Sequence, residues 1–201
     1  MHPNAAFRGD PGALLDRLLE GSAFATLFAH SPDGPRAAHV PVLRSETGRL
    51  LFHLARPNAL TRHLDGAQAM LVLQGPDAYV SARWYDAADQ VPTWNYVALE
   101  CDGTVSRLGD GRTEQLVSDL SDRHEARIST GGVPWTMAKM SDPARRALLR
   151  GIVGFEFSIT AMRDTLKLSQ NKPAPVARAL ADHIEAEGNR DMARWMRDRA
   201  A

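Results

Sequence analysis

The sequence has one cysteine and no excess of either charge. Cys101 is the only cysteine among 201 residues, so no disulfide can form within the chain, which favours a reducing, cytoplasmic compartment. The 24 basic and 24 acidic side chains give a formal net charge of zero. Because nucleic-acid phosphates are bound by basic surfaces, this balance gives direct DNA binding little support.

Long hydrophobic runs are also missing. The apolar runs at residues 24–29 and 69–73 are far shorter than the roughly 18 residues that a membrane-spanning helix needs. The first residues lack the continuous apolar stretch of a secretory signal. With 44% hydrophobic and 24% charged residues, the chain has the composition of a globular domain, and long disorder is excluded. We therefore expect a soluble cytoplasmic protein with no membrane partner.

Several common catalytic motifs are absent. The sequence contains no phosphate loop ending in Gly-Lys-Ser/Thr, no Gly-x-Gly-x-x-Gly and no Gly-x-Ser-x-Gly. His124-Glu125 is not followed by a second histidine at helical spacing, so the zinc-protease pattern fails, and we expect no metal site.

The hydrophobic pattern indicates short strands with helices around them. About seven strands are predicted, at residues 24–29, 37–43, 49–54, 70–74, 78–82, 96–105 and 151–159. Helical spacing predicts helices after Asp10-Pro11-Gly12, over 112–127, from Asp142, and over 175–187 and 189–199. This pattern predicts a mainly β (α+β) fold, an antiparallel barrel with peripheral helices. Residues 1–170 would form the barrel domain, and 171–201 a helical extension packed on it.

Aromatic residues concentrate in one window of the chain. Five of them alternate there with hydroxyl, amide and guanidinium side chains: Tyr79, Trp84, Tyr85, Trp94 and Tyr96. Aromatic faces can stack on a planar heterocycle while the polar groups bind its edge. A core cluster with a dimer contact would have the same composition, and both interpretations stay open.

Two polar clusters complete the candidate site. His53, Arg56 and Asn58 follow a predicted strand and precede a turn whose amides could face an anion, with Arg36 and His39 on a neighbouring strand. The run Lys167-Leu-Ser-Gln-Asn171 is rich in donors, in a chain with three lysines against 21 arginines. Alternatively, His53 lines the barrel, Arg36 is a surface residue, and the lysine run is a polar loop before a helix.

Together these segments resemble the PaiB family, a branch of the FMN-binding split-barrel fold related to pyridoxamine phosphate oxidases and flavin reductases. The matching motifs run through most of the chain in the family's order. They are His53-x-Ala-Arg-x-Asn58, Gln74-Gly-Pro-x-Ala-Tyr-Val-Ser81, Trp84-Tyr85, Val91-Pro-Thr-Trp-Asn-Tyr96, Gly151-Ile-Val-Gly-Phe-Glu156 and Lys167-Leu-Ser-Gln-Asn171.

The resemblance implies a homodimer with FMN at two equivalent sites in the subunit interface. It places Arg36, His53, Arg56 and Asn58 near the phosphate and ribityl chain, and Gln74 near the ring edge. The residues expected to close the site, from the partner subunit, are Trp94, Asn95, Lys167, Ser169, Gln170 and Asn171.

Three functions are compatible with this resemblance. The first is a PaiB-type negative transcriptional regulator, for which the sequence offers no helix-turn-helix signature. The second is an FMN-dependent oxidoreductase or flavin reductase with a nicotinamide donor, in which Lys167, or else Arg83, places a charge near the ring. The third is a haem-binding or haem-degrading split barrel, whose axial ligand would be His39, His53, His63 or His183.

Overall fold

A computed structural model describes residues 3–200 of the chain. In this range the strands are β1 (Phe24–Ser31), β2 (Gly34–Pro41), β3 (Leu43–Arg44), β4 (Leu50–Ala55), β5 (Gln68–Val80), β6 (Thr93–Arg107) and β7 (Ile152–Lys167). The α-helices are α1 (Pro11–Glu20), α2 (Asp110–Glu125), α3 (Asp142–Leu149), α4 (Ala174–Ala186) and α5 (Arg190–Ala200). Over the same range, no helix combines the length and the apolar character needed to cross a membrane.

The seven strands form one sheet in the order β2-β1-β5-β6-β7-β4-β3. The β1–β2, β1–β5, β3–β4 and β4–β7 ladders are antiparallel, which confirms the predicted α+β class. The hydrogen-bonded order is open, with β2 and β3 at its edges, so closure into a barrel is not confirmed.

Alternation of apolar residues explains why these segments are strands. In β6 every second residue from Asn95 to Val105 is buried, as expected for a strand with one face on the core. In the β4–β7 ladder, Phe52 stands opposite Phe155, and both side chains are fully buried with stacked rings. The register is fixed because a shift of one residue would turn these rings to the other face.

Two predicted strands proved to be one. β5 continues through Gly75-Pro76-Asp77, so the break predicted there is wrong. The β1–β5 ladder ends at Leu73, so Pro76 removes no hydrogen bond from it. Gly75 allows β6 to approach closely, because an added Cβ would lie 2.8 Å from Cβ of Val97. Proline and glycine thus mark a tight contact here instead of a turn.

The chain divides into two compact units. The first unit comprises Met1–Leu18, Gln74–Leu99 and Arg163–Ala201, and the second comprises Leu19–Leu73 and Glu100–Met162. Apolar residues of α1, α4 and α5 are buried in the first unit: Leu14, Leu15, Leu180, Ile184, Met192 and Met196. The division at residues 170 and 171 stays a prediction.

In the second unit, α2 packs near β3 and β4. Its residues Leu116 and Leu120 form a buried cluster with Leu108, against which Leu43 and Leu51 pack. At Gly154 of β7, an added Cβ would lie 2.5 Å from Oγ1 of Thr113, so the glycine provides room for the helix.

A buried carboxylate adds an ionic contact between β7 and α2. Glu156 is 6% exposed, accepts a hydrogen bond from Nη2 of Arg112 at 2.7 Å, and is also paired with Arg49. Burial alone would raise the pKa of Glu156, but the hydrogen bonds from Arg112 and Arg49 and their charges hold this pKa below its ordinary value.

The ion pairs of Glu156 make the free energy of unfolding decrease at acid pH. Because the pKa of Glu156 is lower in the folded state, its stabilisation is complete above the unfolded value and is lost as pH falls through the folded one. We expect Glu156→Gln to remove about 2 kcal/mol of unfolding free energy at neutral pH, and less below about pH 4. Urea unfolding across this range measures the difference. An equal loss at neutral pH and at acid pH would show that the charge of Glu156 is not involved.

Candidate functional site

The segment after β4, residues 55–63, is called here the β4 turn. Arg56 is exposed, yet its guanidinium is held by two carbonyls: Nε donates to Arg150 O at 2.8 Å and Nη2 to Ile152 O at 3.3 Å. Oδ1 of Asn58 accepts the Leu60 amide at 2.9 Å. The residues after Asn58 form hydrogen-bonded turns instead of a helix. The remaining donors of Arg56 and the Asn58 NH2 group have no protein acceptor within residues 3–200.

His53 lies two residue pairs before the end of the β4–β7 ladder, opposite Gly154. Its Nδ1 atom is the one buried side-chain nitrogen or oxygen of the described residues that has no hydrogen-bond partner. Burial lowers the pKa of His53 and so favours the neutral imidazole. An unpartnered buried nitrogen is costly, and a hydroxyl or phosphate of a ligand would satisfy it. The donor set at this end of β4 therefore fits a phosphorylated polyol such as the ribityl phosphate of FMN.

Two further polar residues, Arg36 and His39, lie on β2, and both have local hydrogen-bond partners. The Arg36 guanidinium is exposed and donates to Pro35 O at 3.0 Å. His39 is hydrogen-bonded through Nδ1 to Oγ1 of Thr26 at 3.1 Å and stacks on Phe24. No hydrogen bond among residues 3–200 joins either side chain to the β4 turn.

The aromatic residues of this window lie in the first unit and differ in their exposure to solvent. Tyr79 and Trp94 are 48% and 54% exposed and meet edge to face, with ring centroids 5.9 Å apart. Trp84 stacks on His183 of α4 at 5.4 Å. These three aromatic rings, with Ser81 and Arg83, border a cavity of about 420 Å3. The cavity combines an apolar wall with donors, which suits a planar ligand.

Lys167 stands at the end of β7, where its ammonium group donates to Oγ1 of Thr93 at 2.6 Å. Burial lowers the pKa of Lys167. The hydroxyl partner was not predicted from the sequence, although Thr93 belongs to the Val91–Tyr96 motif. The pair fixes the Lys167 ammonium group at Thr93, the residue before Trp94 in β6.

The residues around Lys167 bind one another. Nδ2 of Asn95 donates to Oγ of Ser169 at 2.9 Å and contacts Sδ of Met196 at 3.4 Å, and both polar residues are buried. Ser169 has φ of 63°, a left-handed conformation that a non-glycine residue holds only when its surroundings impose it. Oε1 of Gln170 accepts the Leu168 amide at 2.8 Å. These contacts tie the end of β7 to β6.

Two predicted residues of the first unit stand apart from this network. Asn171 is exposed directly after it. Gln74 is exposed on β5, and its Nε2 atom approaches Oδ2 of Asp77 at 3.5 Å. The structure therefore groups Trp94, Asn95 and the lysine run in the first unit, and His53, Arg56 and Asn58 in the second.

Comparison with known proteins identifies relatives over most of the chain. The family described as "Putative FMN-binding domain" matches residues 1–161. The Bacillus subtilis protein named "Protease synthase and sporulation protein PAI 2" is 27% identical over 188 residues, which are 90% of this chain and 89% of that protein.

Solved structures show the same fold. The FAD- and haem-binding protein of Mycobacterium smegmatis superposes with a TM-score of 0.56 at 20% identity, over 76% of this chain and 69% of that one. The flavocytochrome Anf3 of Azotobacter vinelandii superposes with a TM-score of 0.57 at 13% identity, over 79% of this chain and 68% of the Anf3 chain. These identities establish likeness of fold alone. With most of its length matched by the family and its motifs in place, the chain belongs to the FMN-binding domain family as a PaiB-type member whose cofactor is FMN.

Proposed function

We propose that this chain works as a homodimer that holds FMN at two equivalent sites in its subunit interface, in a PaiB-type regulatory role. The observation that carries this proposal is the half-exposed pair Tyr79–Trp94, which a monomer would leave in solvent beside the Lys167–Thr93 contact. Large aromatic side chains that stay exposed near polar anchors are typical of ligand sites and interfaces.

The phosphate end of the flavin would lie at the β4 turn. Arg56 and Asn58 supply donors for the phosphate, His53 offers its unpartnered Nδ1 to the ribityl chain, and Arg36 adds charge from β2. A guanidinium held in place by two carbonyls loses little further freedom when it binds an anion. The β4 turn is therefore prepared for the phosphate before the cofactor arrives.

The ring end would be formed by the partner subunit's copy of the first unit. Trp94 would pack on the isoalloxazine, and Gln74 and Asn171 would reach its polar edge. Asn95 and Ser169 bind each other and Gln170 binds the Leu168 amide, so we propose that these three residues act by fixing Trp94 and Lys167. FMN, when bound, supplies an acceptor for hydride or single electrons. Lys167 would place its charge near the ring.

The regulatory role is proposed without direct DNA contact. The C-terminal helices carry paired charges: Arg197 of α5 binds Asp182 at 2.7 Å and Glu185 at 2.6 Å. Such pairing reduces the positive charge that Arg197 offers to DNA phosphates. A flavin-dependent response to a small molecule or a protein partner is the form of regulation that this charge pattern favours.

An FMN-dependent oxidoreductase is the second candidate, and the Lys167 position favours it. A lysine with a lowered pKa, hydrogen-bonded to a hydroxyl and partly buried, can tune the flavin and carry a proton. Anaerobic NADPH separates the two roles. Bleaching of the bound flavin within seconds would support an oxidoreductase, whereas a flavin that stays oxidised would support a regulator.

Haem is the remaining alternative, and the histidines differ in their readiness to bind it. Nδ1 of His39 is bound to Thr26, Nε2 of His63 contacts Arg62 at 3.1 Å, and His183 stacks on Trp84. His53 has an unpartnered nitrogen. We therefore choose His53 as the first axial ligand to test, and the test is an intense Soret band that His53→Ala removes.

A pair of substitutions at Asn58 tests the phosphate contact. Asn58→Asp keeps the oxygen that accepts the Leu60 amide but replaces the NH2 donor by a negative oxygen. We expect it to weaken FMN binding about tenfold or more and riboflavin binding hardly at all, because riboflavin has no phosphate. Fluorescence quenching of each flavin measures this. Equal losses for FMN and riboflavin would place the phosphate elsewhere.

Mixed dimers test the division of the site between subunits. If Asn58 and Trp94 of one site come from different chains, a dimer of one Asn58→Asp chain and one Trp94→Ala chain has one intact site. We expect such mixed dimers, purified with two different tags, to bind half of their FMN with wild-type affinity. Loss of wild-type affinity at both sites would mean that each site belongs to a single chain.

A further inference from the structure

A second cavity lies entirely within the second unit, beside α2, α3 and the start of β7. Its volume is about 270 Å3. Four arginines line it, and two acidic residues do so as well: Arg56, Arg107, Arg146, Arg150, Asp110 and Glu114. Only Arg56 was found from the sequence, because Arg107 is far in the chain from Arg146 and Arg150 and none of the three belongs to a motif.

The charges around this cavity are not balanced. Glu114 is engaged by Nε of Arg145, outside the cavity lining, at 3.2 Å. Within residues 3–200, none of Arg107, Arg146 and Arg150 forms an ion pair. Four arginines therefore line this concavity, and among its described lining residues Asp110 is the one acidic residue without an ion pair. Like charges in a partly enclosed space repel one another, and a bound anion relieves that repulsion.

One of the four arginines is already held in position. The hydrogen bonds from Arg56 to the carbonyls of Arg150 and Ile152 fix its guanidinium plane, and the rest of its five donors remain for a ligand. Planar guanidinium groups match the oxygens of a phosphate two at a time. The cavity is also slightly smaller than the roughly 300 to 1,000 Å3 of most small-molecule pockets, so it suits a phosphate group with little attached to it.

We propose that this arginine cavity binds the phosphate group of a ligand other than the flavin. The ligand class is a phosphomonoester or inorganic phosphate, held by Arg107, Arg146 and Arg150 with Arg56 as the fixed wall. The proposed flavin site shares Arg56 with this cavity, but its other phosphate and ribityl residues, His53, Asn58 and Arg36, do not line the cavity. The cavity would thus bind a second ligand. This proposal does not require that flavin binds.

The test uses the double variant Arg107→Gln/Arg146→Gln and the control Arg178→Gln. Both cavity arginines are exposed, so we expect the double variant to fold, and circular dichroism and Tm in chloride verify it. Arg178 is exposed on α4 of the first unit and lies outside the cavity. Isothermal titration calorimetry with inorganic phosphate, at constant ionic strength, is performed with and without saturating FMN.

The expected result is saturable phosphate binding to the wild-type protein and to Arg178→Gln, unchanged by FMN. The double variant should lose about tenfold or more in phosphate affinity and keep its affinity for FMN. Absence of saturable binding beyond that of chloride overturns the proposal. So does phosphate that competes with FMN but not with riboflavin, because the cavity would then hold the flavin's own phosphate. Failure of the flavin site alone would appear as lost FMN binding with phosphate binding intact.

Discussion

Replacing Trp94 with alanine is expected to weaken FMN binding by about 2 kcal/mol, or roughly thirtyfold in Kd. Trp94 is 54% exposed and meets Tyr79 edge to face, so its outer surface is free to pack on a planar ring. Because the lost contact involves the ring, riboflavin should be affected as strongly as FMN. Asn58→Asp, in contrast, should weaken the binding of FMN much more than the binding of riboflavin.

Trp135→Ala provides the matched control for Trp94. Trp135 is also a partly exposed tryptophan, at 37%, but it lies in the loop between α2 and α3. Its removal should leave the Kd for FMN within about twofold of wild type. If Trp94→Ala bound FMN as the wild type does, the ring would not pack where we propose.

Replacing Gly103 with valine is expected to have the largest effect on stability. Gly103 lies within β6, where an added Cβ would collide with Ser158 O and lie 2.6 Å from Cζ of Phe157. A backbone oxygen and a fully buried ring cannot move aside without disturbing β7 and the core. We expect a loss of about 3 kcal/mol or more, and a Tm lower by about 10 °C.

Gly111→Ala is the control for Gly103→Val. Gly111 lies in the first turn of α2, where an added Cβ would meet nothing within 4 Å. Alanine favours helix over glycine, so this variant should be neutral or more stable by up to about 1 kcal/mol. Thermal unfolding of both variants measures the contrast. Equal stability of Gly103→Val and wild type would contradict the close approach of β6 and β7.

Local patterns predict the elements of this fold well where apolar residues keep one spacing, that of a strand or that of a helix, through the whole element. The alternation in β4 and β6 and the helical spacing in α1, α2, α4 and α5 are visible in the sequence, and the structure confirms those elements. β5 was split in the prediction because Gly75-Pro76-Asp77 is a common turn composition. In the structure Gly75 packs closely against Val97, a residue distant in the chain, and no local rule contains that contact.

Residues of the candidate site were harder to interpret than the strands. The lysine run was predicted as a set of cofactor ligands, yet Asn95, Ser169 and Gln170 are hydrogen-bonded within the protein. Composition cannot distinguish a donor that faces a ligand from one that holds a strand end. The arginine cavity shows the opposite case, because only tertiary packing brings Arg107, at the end of β6, to the same cavity as Arg146 and Arg150.

Native mass spectrometry of the FMN-loaded protein measures whether the chain is a dimer that shares FMN between its subunits. We expect a dimer that carries two FMN molecules, and loss of FMN whenever the dimer dissociates. A monomer that retains FMN, or a dimer that binds none under saturating conditions, would contradict this proposal.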